Sequence, residues 1–359
     1  MPGYSAADAI SPAIQRTRIF LFRPFRLGTY LKLCLVAVLT EGSSGGNFNF
    51  GNHSWARHST SSSSNLVTPF SVATRVRPEW MALLVVFLLV GLVVGLLIAW
   101  LITRLRFAYF HCLITNTKEI RPGWHYYSGP ATRFFWMNIV VGLCFVALVV
   151  VALLPFAAGI WGLVRNTASG GRPDFGAILA IVLPLIPLIL LIVLAAIAMD
   201  VVLRDLMLPH YALENATAGQ AWGAAWMRIR AEKGQFLFYA LLRVLLPIVA
   251  AIAMVIVLII PAIIFFVVVV GVEVGLHAGL GHSPIGILFE VLFGVVAGVL
   301  ALLVVIAVSG PIETGIRQYA LMFYGSRYQR LAEILWPPAP PMPAPPVPPE
   351  PNAGFGAPA

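Results

Sequence analysis

Apolar runs of membrane-crossing length alternate with short polar stretches along most of this chain. Five of them, at 81–102, 135–164, 175–203, 236–270 and 287–308, can each cover roughly 30 Å of hydrocarbon, which takes about 20 helical residues. Their Val, Ile and Leu content would suit buried strands, but the runs are far too long for strands, and in lipid a helix satisfies its own backbone polar groups. The pattern predicts an all-α polytopic membrane helix bundle. Pro155, Pro184, Pro187, Pro247 and Pro261 fall inside these runs. The 236–270 run is too long for one upright helix, so it tilts, kinks, or divides into two half-spans.

A weaker sixth candidate covers 24–40, with an apolar core at 31–39 interrupted by Lys32. Its alternatives are an interfacial helix with a re-entrant tip and a signal peptide with an unusually long basic leader. Charge placement separates these readings. With six crossings, one side receives Arg16, Arg18, Arg23, Arg26 and Lys32; Arg104, Arg106, Lys118, Arg121 and Arg133; Arg204, Arg228, Arg230 and Lys233; and Arg317, Arg327 and Arg330. That is most of the 23 basic residues. With five crossings, the N-terminal group changes sides and the two faces come close to parity. The positive-inside rule favours six transmembrane helices with both termini cytoplasmic, in the inner membrane of a prokaryote.

Composition agrees with this reading. Hydrophobic residues make up 60% and charged residues 10% of the 359, whereas soluble domains carry roughly 25% charged residues. A net charge of +9 would suggest nucleic acid in a soluble protein. Here the basic residues sit at the ends of apolar runs, with no Arg/Lys-rich block interleaved with aromatics, so no nucleic-acid partner is expected. Cys34, Cys112 and Cys144 are widely spaced and odd in number, which predicts reduced thiols rather than a disulfide framework or zinc knuckle.

Residues 1–336 read as the multipass membrane domain. Its outer segment 41–79 is rich in Gly and Ser and cannot build a core. The tail 337–359 is proline-dense, predicting an extended polyproline II tether that could dock on an aromatic groove. The two middle loops share a pattern. Arg106 is followed by His111, Asn116 and Trp124, and Arg204 by His210, Asn215 and Trp222, each before an aromatic-rich return. This suggests a duplicated unit of helix, amphipathic cytoplasmic elbow and helix. In the second elbow, Trp222 and Trp226 with Arg228 and Arg230 suit a helix resting in the headgroup layer.

The residues singled out as structural or ligand contacts are Arg106, Trp124, Asp200, Arg204, Trp222 and Arg243. Asp200 and Arg204 have the spacing of an intrahelical ion pair. Arg243 lies about a turn inside its run, where it either snorkels or joins a transport or binding site. Glu290 falls near the outer end of the last run, within reach of solvent. There is no phosphate-binding loop, dinucleotide fingerprint, nucleophile elbow or HExxH motif. No catalytic residue, cofactor or metal ligand is therefore expected, and the expected partners are membrane lipids and a protein at the elbows or tail.

Several segments carry a resemblance. Ala9-Ile10-Ser11-Pro12-Ala13, the stretch from Leu21-Phe22-Arg23-Pro24-Phe25-Arg26 through Leu33, Gly42-Ser43-Ser44-Gly45-Gly46, Arg204-Asp205-Leu206-Met207-Leu208-Pro209 and Ala221-Trp222 together resemble an uncharacterised prokaryotic family of multipass membrane proteins. That family is distantly similar to the membrane domain attached to some glycerophosphoryl diester phosphodiesterases. The resemblance implies architecture alone, because the catalytic barrel of those enzymes, with its metal-binding acids and histidines, has no counterpart here. Three functional readings follow: organisation of membrane or envelope components, transport of a small solute or lipid, and integral membrane catalysis.

Overall fold

The structure is a computed structural model that describes residues 3–42, 78–168, 175–281 and 283–337. The Gly/Ser-rich outer segment and the proline tail lie almost wholly outside the described residues. The helices are α1 (Ile10–Phe22), α2 (Leu27–Glu41), α3 (Pro78–Thr115), α4 (Arg121–Tyr126), α5 (Ser128–Ala168), α6 (Phe175–Val201), α7 (Leu208–Glu214), α8 (Ala218–Ala231), α9 (Lys233–Leu280), α10 (Pro284–Gly325) and α11 (Gln329–Leu335). A π-helical segment, Val202–Met207, joins α6 to α7 without a break.

Among the described residues, five helices are long and apolar enough to cross a membrane, each matching one of the five long runs. In α3, α5, α6 and α9 the most apolar 18 residues contain no buried side chain. In water such bare faces would drive aggregation; in lipid they are the expected surface. The chain is a multipass membrane protein. The internal prolines do not divide these helices, and α9 runs as one helix of 48 residues through Pro247 and Pro261, not as two half-spans. Helix α2 has 15 residues, about 22 Å at 1.5 Å per residue, and is not among the five.

The core lies where the polar ends of the helices converge, filled by Phe107, Tyr109, Phe110, Leu208, Tyr211, Tyr319, Phe323 and Tyr324. Helix α2 is buried there along Leu33, Val36 and Ala37 and lies against α10. Gly310 permits that approach: a Cβ in its place would stand 2.3 Å from the Cβ and 2.6 Å from the Cα of Cys34. Helices α9 and α10 are antiparallel. The Tyr239 ring stacks on Tyr319 and Phe323 at one end, and His277 bonds Glu290 at the other. Glu290 is thus held by a neighbouring helix rather than by solvent alone.

Two helix stops share one backbone geometry. Helix α3 stops at Asn116 and α7 at Asn215, with φ of 55° and 53°, the only non-glycine residues at positive φ among the described ones. Asparagine tolerates this left-handed conformation better than most residues and so ends a helix. After each stop comes a shorter helix, α4 or α8, and then a long one, α5 or α9. The first elbow is the tighter. A Cβ on Gly123 would come within 2.8 Å of the His111 Cβ, so α4 lies directly on α3. Arg133 donates to the Asn215 side-chain oxygen, joining the elbows.

A buried charge cluster at the helix ends

Four guanidiniums and three carboxylates from five segments meet at this core, with Asp200 at its exposed margin. The π-helical segment supplies two of them in succession, Arg204 and Asp205, both buried. Its wider turn lets the consecutive residues serve different neighbours. Arg204 Nε lies 2.7 Å from Asp200 Oδ1, and its Nη1 lies 3.9 Å from Glu41 Oε2 at the end of α2. Asp205 turns to α9 and α10. Its Oδ1 accepts from Arg317 Nη1 at 2.8 Å, and its Oδ2 accepts from Arg243 Nε at 2.9 Å and from the Tyr239 hydroxyl at 2.6 Å.

Backbone carbonyls complete the cluster. Arg106 of α3 donates through Nε and Nη2 to the carbonyl oxygen of Thr40, at 3.3 and 2.9 Å. Arg317 Nη1 also donates to the Arg204 carbonyl oxygen at 3.1 Å, while its Nε stands 3.8 Å from Glu41 Oε1. Below Arg106, Tyr109 and Thr314 share a 2.7 Å hydrogen bond between α3 and α10. Arg16 of α1 caps the end of α3 by donating to the Leu113 and Ile114 carbonyl oxygens, which suits a cation at a helix C-terminus. Partial burial lowers its pKa.

Buried charges persist only when paired and hydrogen-bonded. Here each cluster arginine is bonded either to a carboxylate or to a carbonyl from another helix. The arrangement cross-links α2, α3, the α6–α7 junction, α9 and α10. Removing one partner of such a pair typically costs about 3–5 kcal/mol, so the cluster has the energetics of a clamp.

The sequence candidates divide. Arg106, Asp200, Arg204 and Arg243 come together, and the Asp200–Arg204 pair forms as its spacing predicted. Arg243 is nearly buried and bonded to Asp205. Trp124 and Trp222 lie elsewhere. Arg104 sits over the Trp124 ring, 4.7 Å from its centroid. Trp222 stacks on Trp226 at 6.1 Å with both rings exposed, and Arg230 lies over Trp226. Sequence reasoning missed Glu41, Asp205, Tyr239 and Arg317. It had placed Glu41 at the start of the outer segment, yet Glu41 meets arginines from segments assigned to the opposite face. The one available signal was the adjacent Arg204-Asp205 pair at a helix exit.

A second polar group braces the elbow. His210 Nε2 lies 2.7 Å from the Tyr324 hydroxyl and Nδ1 3.1 Å from Glu214 Oε2, while Arg327 pairs with Glu232 at 2.8 Å. Among the described residues, no group of three or more His, Cys, Asp or Glu side chains is placed to hold a metal ion.

No curated protein and no solved structure matches this chain. A family model does match, over residues 4–334, a range that takes in both elbows and every residue of the charge cluster. The chain belongs to that family, the family of unknown function DUF7544.

Proposed function

We propose that this protein organises membrane or envelope components through lipid and protein contacts, using its elbows and charge cluster as a rigid base at the cytoplasmic face of a prokaryotic inner membrane. One observation carries the reading. Of the charges that a solute carrier would present to its cargo, Arg243 and Arg317 are bonded to Asp205, Arg204 to Asp200, and Arg106 to a backbone carbonyl. The exposed Trp222–Trp226 stack with Arg230 supports a face that meets headgroups. The distant resemblance to a phosphodiesterase membrane domain is retained as architecture and supplies no chemistry.

Arg243→Ala separates a structural from a transport role. A clamp residue leaves Asp205 short of a partner, so the variant will lose melting temperature and monodisperse yield in detergent. A variant that stays monodisperse at the wild-type melting temperature would sink the structural role and favour a transport reading for Arg243.

The proposed topology has six crossings with both termini inside; the grouping of basic residues at one end of each apolar run supports it, and the meeting of Glu41 with Arg204 and Arg317 stands against a crossing α2. Helix α2 is the crossing in question, being short and bonded to the cluster through Glu41. Single cysteines at Ser11, Ser62, Thr117, Ser169, Thr217 and Ser283, in a cysteine-free background, are treated in intact cells with an impermeant thiol reagent. Labelling is expected at Ser62, Ser169 and Ser283 alone. Labelling at Ser11 as well would reduce the crossings to five.

A further inference from the structure

An apolar groove of about 350 Å³ runs between α1, α9 and α10. Ile10, Ile14, Leu246, Ala250, Ile312 and Ile316 form its walls. Two lining residues bring polar groups. Arg18 is exposed and has no ion pair among those described; Tyr319 is buried, and its hydroxyl has no hydrogen-bond partner among the described residues. The Thr17 hydroxyl, also on the groove, already donates to the Ala13 carbonyl oxygen.

We propose that this groove holds one acyl chain of an anionic membrane phospholipid, with the phosphate on Arg18. The inference rests on the lipid-contact reading above and gives it a site. Exposed apolar residues of α9 and α10, including Ile248, Val249, Val304 and Val305, continue from the groove, so a chain can enter it without leaving apolar surroundings. The volume lies at the small end of ligand sites, about 300–1,000 Å³, and suits one chain rather than a whole lipid. At the groove a guanidinium offers the forked donors that phosphate oxygens accept. Arg23 and Arg26, exposed in the turn after α1, add attraction for an anionic headgroup over a zwitterionic one.

The test uses the full chain in nanodiscs of equimolar phosphatidylglycerol and phosphatidylcholine, with retained lipid read by native mass spectrometry. Gly315→Leu fills the groove, since a Cβ there meets only the Thr17 hydroxyl at an ordinary 3.8 Å; Ala250→Phe fills it from the other wall should that variant misfold. The wild type is expected to retain phosphatidylglycerol over phosphatidylcholine by about tenfold, the size of one charge-assisted hydrogen bond. Arg18→Gln should bring that ratio near one, and groove filling should cut retained lipid about tenfold at an unchanged melting temperature. Equal retention in wild-type and filled variants overturns the proposal. So does a groove-dependent dimer or a groove-bound proline tail, either of which would make the occupant protein. Trp222→Ala/Trp226→Ala in the same nanodiscs tests the wider reading separately: if it weakens membrane-surface contact while groove filling changes nothing, only the groove assignment fails.

Discussion

Asp205→Ala will leave almost no monodisperse protein after detergent extraction. The substitution strips three buried donors, on Arg243, Arg317 and Tyr239, of their shared acceptor. Breaking one buried pair costs about 3–5 kcal/mol, against a total stability of about 5–15 kcal/mol for a typical domain. Fluorescence-detected size exclusion should show the main peak replaced by void-volume aggregate. A further variant distinguishes lost pairing from lost chemistry. Replacing a whole buried ion group with apolar side chains of similar volume is often neutral or stabilising, so Asp205→Leu combined with Arg243→Met and Arg317→Met should recover the peak, Glu41 keeping Arg204 nearby. An Asp205→Ala protein that elutes and melts like the wild type would show that the cluster does not hold the helices together.

Gly310→Ala will force α2 away from α10. The new methyl group would lie 2.6 Å from the Cα of Cys34, and because the obstacle is backbone no rotamer change relieves it. Overpacking of this kind costs about 1–3 kcal/mol, more when a helix must shift. Two observables should move together: the melting temperature falls, and Cys34, buried in the wild type, becomes reactive to a membrane-permeant maleimide. Gly91→Ala is the control, since a Cβ there meets nothing within 4 Å. Equal Cys34 protection in Gly310→Ala and wild type would mean that the α2–α10 contact is looser than the structure has it.

Much of the fold was legible in the sequence because the bilayer imposes a simple length rule, and all five long runs became helices. The spacing that paired Asn116 with Asn215 in the sequence marks two left-handed helix stops. The charge cluster was visible only in part. Asp200 and Arg204 declared themselves through local spacing, but the meeting of Glu41, Asp205 and Arg317 depends on which helices pack together, which hydrophobicity along one chain does not encode. The π-helical turn that splits Arg204 from Asp205 also has no periodic signature, because apolar residues surround it on both sides. For Arg243 the sequence left snorkelling and a binding site both open, because depth alone does not reveal a partner that comes from 38 residues away.

The placement of the charges also sets a timetable for biosynthesis. Glu41 leaves the ribosome early, Asp205 next, and Arg317 follows Asp205 by 112 residues. At about 5–20 residues per second, Asp205 waits on the order of ten seconds for that arginine. Until α10 arrives, Asp205 and Glu41 have Arg243 and Arg204 but lack Arg317, so the cluster is completed only once that helix is made.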